Sequence, residues 1–263
     1  MSEINLAVSG PPRNGTSALR RFLNRDFRIM VLHEANIFGL WDKKQFNVGD
    51  RKLKLNLNKK RLDYSGPFIE KDLDIDKFFQ HLKGRQLTGA QVLKYLRDNS
   101  LATVVGDKNP GSYINKAEQI LAIPNTKLIV IVRDGRDAVC SYVRSAKKCI
   151  KENKPLAHWA RKTPEHAQHV WINSLKSLQK IAPLQETGNL LVTRFEDATL
   201  RKNDFMKKVQ EFLGLEWHPI IDDARYHAPF GPVRLGIWKD EIPDIMSKIN
   251  GEFEYYMEMF NYI

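Results

Sequence analysis

Residues 10–17 read Gly-Pro-Pro-Arg-Asn-Gly-Thr-Ser, behind a short apolar run from Ile4 to Val8 and ahead of a helical pattern that starts at Ser17. A strand that enters a glycine-bearing turn and leaves it through a helix N-terminus aims successive backbone N–H groups at one point, where an anion is stabilised. Gly10 and Gly15 have the spacing of a nucleoside triphosphatase loop, but Thr16 stands where the lysine of such a loop belongs. The cation lies inside the loop instead, as Arg13. The pattern predicts a phosphate site without the usual ATP or GTP chemistry.

A second segment, residues 127–147, reads KLIVIVRDGRDAVCSYVRSAK. Leu128 to Val132 is a continuous apolar run, as in a strand buried on both faces. Arg133 stands at its carboxyl end, and Ser141 lies about two turns into the helix that follows. Both can reach one anion beside the sheet. Lys108 follows another predicted strand, and residues 29–34, Ile-Met-Val-Leu-His-Glu, end on a neighbouring imidazole and carboxylate, His33 and Glu34. Either is of the type that takes a proton from a substrate within hydrogen-bond reach.

These segments resemble the sulfotransferases that use 3′-phosphoadenosine 5′-phosphosulfate. That family has a Pro-Arg/Lys-x-Gly-Thr-Thr/Ser loop after its first strand, matched here by Pro12, Arg13, Asn14, Gly15, Thr16 and Ser17. It also has a strand-end arginine and a serine eight residues later, matched by Arg133 and Ser141. The arginine in the loop, Arg133-Asp134-Gly135-Arg136 and Asp107-Lys108-Asn109-Pro110 look most like the carbohydrate and tyrosylprotein branches. Arg194-Phe195-Glu196-Asp197, Phe212-Leu213-Gly214-Leu215 and Arg234 to Lys239 continue the resemblance in order. Phe195 departs from the family's usual tyrosine. Of the small-molecule branch's longer Arg-Lys-Gly stretch only Arg234, Gly236 and Trp238 align.

The resemblance implies that the loop holds the 5′-phosphosulfate and that Arg133, Ser141 and Arg234 hold the 3′-phosphate. It also implies that Arg13 and Lys108 stabilise charge on the transferring group, and that Glu34, with His33 second, is the general base. The acceptor would be a hydroxyl, with an amine second, on a small molecule or glycan of carbohydrate-like chemistry. Transfer would be an in-line displacement without a metal, since fixed cations suffice for the modest charge of a sulfuryl group. Two other readings stand beside this one: a nucleotide or small-molecule kinase, and a non-catalytic adenosine bisphosphate-binding protein.

Five strand candidates, 4–8, 28–32, 103–106, 127–132 and 190–194, alternate with helical patterns. That alternation predicts an α/β fold, a P-loop-like three-layer sandwich around a central, mainly parallel sheet of about five strands. Anion sites then belong at the carboxyl ends of the strands. Thr163 and Pro164 open a helix to about 181, and a second helix over 204–213 stops at Gly214. The 263 residues, 42% hydrophobic, fit a single domain, 1–263. The longest apolar run is far below the ~20 residues of a membrane span. Met1-Ser2-Glu3-Ile4 lacks a basic, apolar leader, and two cysteines, Cys140 and Cys149, point to a reducing compartment. Set beside the resemblance to branches that are typically membrane-anchored in a secretory compartment, these features imply a cytoplasmic enzyme of bacterial or phage type. The net charge of +11 suits an anionic donor. No zinc-ligand or aromatic RNA-binding pattern is present, so specific nucleic-acid binding is not expected. The alternating Lys52 to Asn58 and the Lys59-Lys60-Arg61 run read as an exposed, basic strand.

Overall fold

A computed structural model of the chain describes residues 3–43, 46–47, 85–156, 160–219, 235–242 and 251–263. Five strands form a wholly parallel sheet: β1 (Ile4–Ser9), β2 (Ile29–His33), β5 (Val104–Lys108), β6 (Thr126–Val132) and β7 (Leu190–Arg194), in the order β2-β5-β1-β6-β7. Each of the five alternating strand candidates is present, with ends displaced by no more than two residues. A short antiparallel pair, β3 (Phe46–Asn47) and β4 (Gln86–Leu87), stands apart.

The strands are apolar on both faces because helices cover both. Side chains alternate between faces with period two. Leu6 and Val8 of β1, with Ile129 and Ile131 of β6, enter one core against α1 (Thr16–Leu23), α6 (Phe195–Leu200) and α7 (Lys202–Phe212). Ala7, Leu128, Val130 and Val132 enter the other core. That side is built by α2 (Gly89–Asp98), α3 (Ala117–Leu121), α4 (Gly135–Lys151), α5 (Pro164–Ile181) and α9 (Gly251–Met259). The short α8 (Trp238–Glu241) packs against α4. These are the three layers that the alternation predicts.

Helix ends follow their capping residues. Thr163 accepts from the His166 N–H at 3.4 Å, and Pro164 takes the first position of α5. Thr88 and Gln91 close a reciprocal capping box on α2. Helix α7 begins two residues ahead of the expected start and ends at Phe212, and Gly214 follows with a positive φ of 66°. The basic stretch from Lys52 to Arg61, and Arg234, lie outside the described residues.

Chain order decides where ligands can sit. The chain first fills the β2 side of β1, then crosses to the β6 side. That reversal opens a crevice at the carboxyl end of β1, where open parallel sheets bind ligands.

Candidate active site

The loop from β1 into α1 runs through two left-handed residues, Arg13 (φ 66°) and Gly15 (φ 90°). Gly15 is required on two counts. Its backbone lies where a side chain is strained, and a Cβ there would run into the Phe195 ring. Helix α1 starts at Thr16, one residue before the expected Ser17, with Gly15 as its N-cap and no side chain capping it. Thr16 and Ser17 are therefore helical residues rather than caps, and the first-turn N–H groups point into the crevice mouth as donors for an anion.

The loop is pinned from beneath. Asn14 is wholly buried; its Oδ1 accepts from the Arg133 N–H at 2.7 Å and from Trp171 Nε1 at 3.4 Å. Its Nδ2 donates to the Pro12 carbonyl at 3.0 Å, which also accepts from the Tyr142 hydroxyl at 2.5 Å. Asn14 thus ties the phosphate-type loop to the end of β6 from inside, and its side chain does not line the cleft.

The end of β6 supplies the neighbouring cation. Arg133 lies over the Phe195 ring at 4.9 Å and donates from Nη2 to Asp137 Oδ2 at 3.1 Å. Arg13 Nε donates to Ser141 Oγ at 3.0 Å, so the two predicted phosphate segments touch directly. Asp134 caps α4 through the Arg136 N–H and pairs with the Arg136 side chain at 2.7 Å. Glu196 accepts from the Asp134 N–H at 3.1 Å and from the Tyr262 hydroxyl at 3.0 Å. Burial pushes the Glu196 carboxyl above its ordinary range, against the pull of these hydrogen bonds.

The end of β5 carries two side chains to opposite faces. Asp107, fully buried, accepts from the N–H groups of Ala35 (3.1 Å) and Ile37 (3.3 Å) and from the Tyr113 hydroxyl (2.5 Å). Burial raises its pKa while those donors oppose the rise. Asp107 thereby shapes the turn after β2 that presents Glu34. Lys108 points the other way; its buried Nζ lies 2.5 Å from Glu34 Oε1 and 3.1 Å from Ser17 Oγ. Burial lowers the Lys108 pKa, and Glu34 and Asp107 pull it back up. Glu34, at φ 58°, also donates its N–H to the Lys108 carbonyl at 2.7 Å. His33 Nε2 stands 3.4 Å from Lys108 Nζ and 3.9 Å from Glu34.

One cleft of about 440 Å³ gathers these groups. Pro12, Arg13, Gly15, Thr16, Ser17, Glu34, Arg133 and Ser141 line it, with Arg21, Asn109, Pro110 and Phe195. Lys108 meets it through Ser17 and Glu34, while His33 is not among the lining residues. Residues 6–219 match the sulfotransferase family.

The chain belongs to that family. Among the solved structures that share its fold are two sulfotransferase domains. The sulfotransferase domain from the curacin biosynthetic pathway is 18% identical, covers 100% of this chain and 99% of its own, and has a TM-score of 0.64. The sulfotransferase domain from the Synechococcus PCC 7002 olefin synthase is also 18% identical, covers 93% and 82%, and has a TM-score of 0.56. No curated protein sequence matches the chain significantly. Among the described residues of this sulfotransferase, no helix is long and apolar enough to cross a membrane.

Three groups received no role from the sequence: Arg21, which lines the cleft, and the buried Asp107 and Asp137 behind it. The i, i+4 spacing of Arg133 and Asp137 was the one local signal available for Asp137. For Arg21 the signal was its place one turn beyond Ser17 on the same helix.

Proposed function

We propose that this sulfotransferase moves a sulfuryl group from 3′-phosphoadenosine 5′-phosphosulfate to a hydroxyl, with an amine second, of a carbohydrate-like acceptor. The observation that carries the reading is the meeting of residues 12–17, Arg133 with Ser141, and Lys108 with Glu34 around one cleft. Backbone N–H groups of the loop, Thr16 and Ser17 take the 5′-phosphate. Arg133 and Ser141 take the 3′-phosphate and so select this donor over ATP.

In the transfer step Glu34 accepts the proton of the acceptor hydroxyl. The acceptor oxygen forms its bond to sulfur as the bond from sulfur to the bridging oxygen breaks in line. The electron pair stays on the bridging oxygen, and adenosine 3′,5′-bisphosphate leaves. Arg13 and Lys108 stabilise the charge that grows on the bridge and the sulfuryl oxygens. Glu34, half-exposed at the cleft and paired with Lys108, must exchange that ion pair for the acceptor proton. His33 is the second candidate for this proton, through its place beside both. The reaction so described needs no metal.

The same reading gives a single catalytic domain over 1–263 in a reducing, cytoplasmic compartment, and Cys140 and Cys149 as free thiols are in keeping with it. It gives no specific nucleic-acid partner. Calorimetric titration with adenosine 3′,5′-bisphosphate, with ADP and magnesium as the control, tests it. Tight binding of the bisphosphate alone is expected. Preference for ADP with magnesium would overturn the donor assignment in favour of a kinase.

A further inference from the structure

Asp137 is almost wholly buried, at 1% exposure, in the first turn of α4. Its Oδ2 accepts from Arg133 Nη2 at 3.1 Å and from the Gly236 N–H at 2.9 Å, while Oδ1 accepts from the Trp238 N–H at 3.3 Å. One carboxylate therefore joins the strand-end arginine of the cleft to a backbone turn 99 residues further along the chain. The turn is gripped a second time where the Arg136 guanidinium lies over the Trp238 ring at 4.5 Å. A guanidinium offers five N–H donors in a rigid plane. Fixing one nitrogen on a buried carboxylate fixes where the others point.

We propose that Asp137 is the positioning residue of the 3′-phosphate subsite, and that through it donor binding and the seating of the Gly236–Trp238 turn reinforce each other. The proposal rests on the donor reading above. Asp137 touches no substrate. It aims Arg133 while spending its remaining lone pairs on the turn, so a phosphate that immobilises Arg133 also favours the seated turn, and by linkage the seated turn favours the phosphate.

The test compares adenosine 3′,5′-bisphosphate with adenosine 5′-phosphate, which lacks only the group concerned. In wild type, a preference for the bisphosphate establishes the donor site, and its absence sinks the donor reading itself. In Asp137→Asn, affinity for the bisphosphate is expected to fall about tenfold, the scale of one charge-assisted hydrogen bond, with affinity for the 5′-phosphate nearly unchanged. Equal losses for both ligands, or no loss for either, would overturn the proposal. Should the variant fail to fold, amide hydrogen exchange in wild type gives the same decision. The peptide spanning Gly236 and Trp238 is expected to exchange several-fold more slowly with the bisphosphate than with the 5′-phosphate, and equal rates would refute the coupling.

Discussion

Glu34 and Lys108 neutralise each other in the free protein, and that shapes what each variant should do. Glu34→Gln keeps the shape but cannot take a proton. Turnover should fall by about 10²–10⁴-fold with bisphosphate affinity unchanged, and wild-type turnover would move the base to another residue. Arg13→Ala should lower turnover by about 10²–10³-fold, as when a preorganised donor to growing negative charge is removed. A pH profile reads Lys108 directly. Its pKa is lowered from 10.5 by burial, so its proton, and with it the stabilising charge, is lost as pH rises through that lowered value. The alkaline limb of kcat/KM should therefore descend below 10.5, and a limb at or above that value would exclude Lys108 as its source. The sequence exposes these residues unequally. Arg13 and Arg133 announce themselves by standing at the ends of apolar strands. Asp107 stands in a recognisable segment, but its role is silent in sequence because the N–H groups it accepts from lie 70 and 72 residues away.

Elements hold the site through their ends. The turn from β1 into α1 depends on Gly15, and Gly15→Ala should cost about 1–3 kcal/mol by urea unfolding and abolish bisphosphate binding. The end of α4 is tied to the C-terminal segment through Glu196 and Tyr262. A carboxyl whose folded pKa is raised holds its proton more tightly in the folded state. Its contribution is full below the unfolded value of 4.5 and is lost as pH rises through the folded value. The stability difference between wild type and Glu196→Gln should thus favour wild type most at acid pH and shrink as pH increases. A difference that grows with pH would contradict the assignment. Helix α5 matches its expected limits because Thr163 and Pro164 mark its start. Its buried face takes in Gln168 and Ile172 beside Ala167, Trp171 and Leu175, since it packs against both α4 and α9 and a single stripe in the sequence cannot report two neighbours.

At the scale of the molecule, the order β2-β5-β1-β6-β7 could be anticipated only as a parallel sheet, because strand neighbours are set by packing between distant segments rather than by any local pattern. Ile129 of β6 lies in the core between the sheet and the helices of one face, and Ile129→Ala should destabilise by about 2–5 kcal/mol in urea unfolding. The net charge of +11 adds a long-range pull on an anionic donor, so the association rate should fall as salt is raised. The central place of β1 bears also on how the protein is born. The anion loop is made ahead of β5 and β6, yet β1 gains its neighbours only when those strands have followed, and Asn14 meets Arg133 119 residues later. Parallel pairings over such separations form slowly. A nascent chain that stops short of β6 carries the loop sequence but no site, so donor binding during synthesis would mark the moment at which the sheet closes around its first strand.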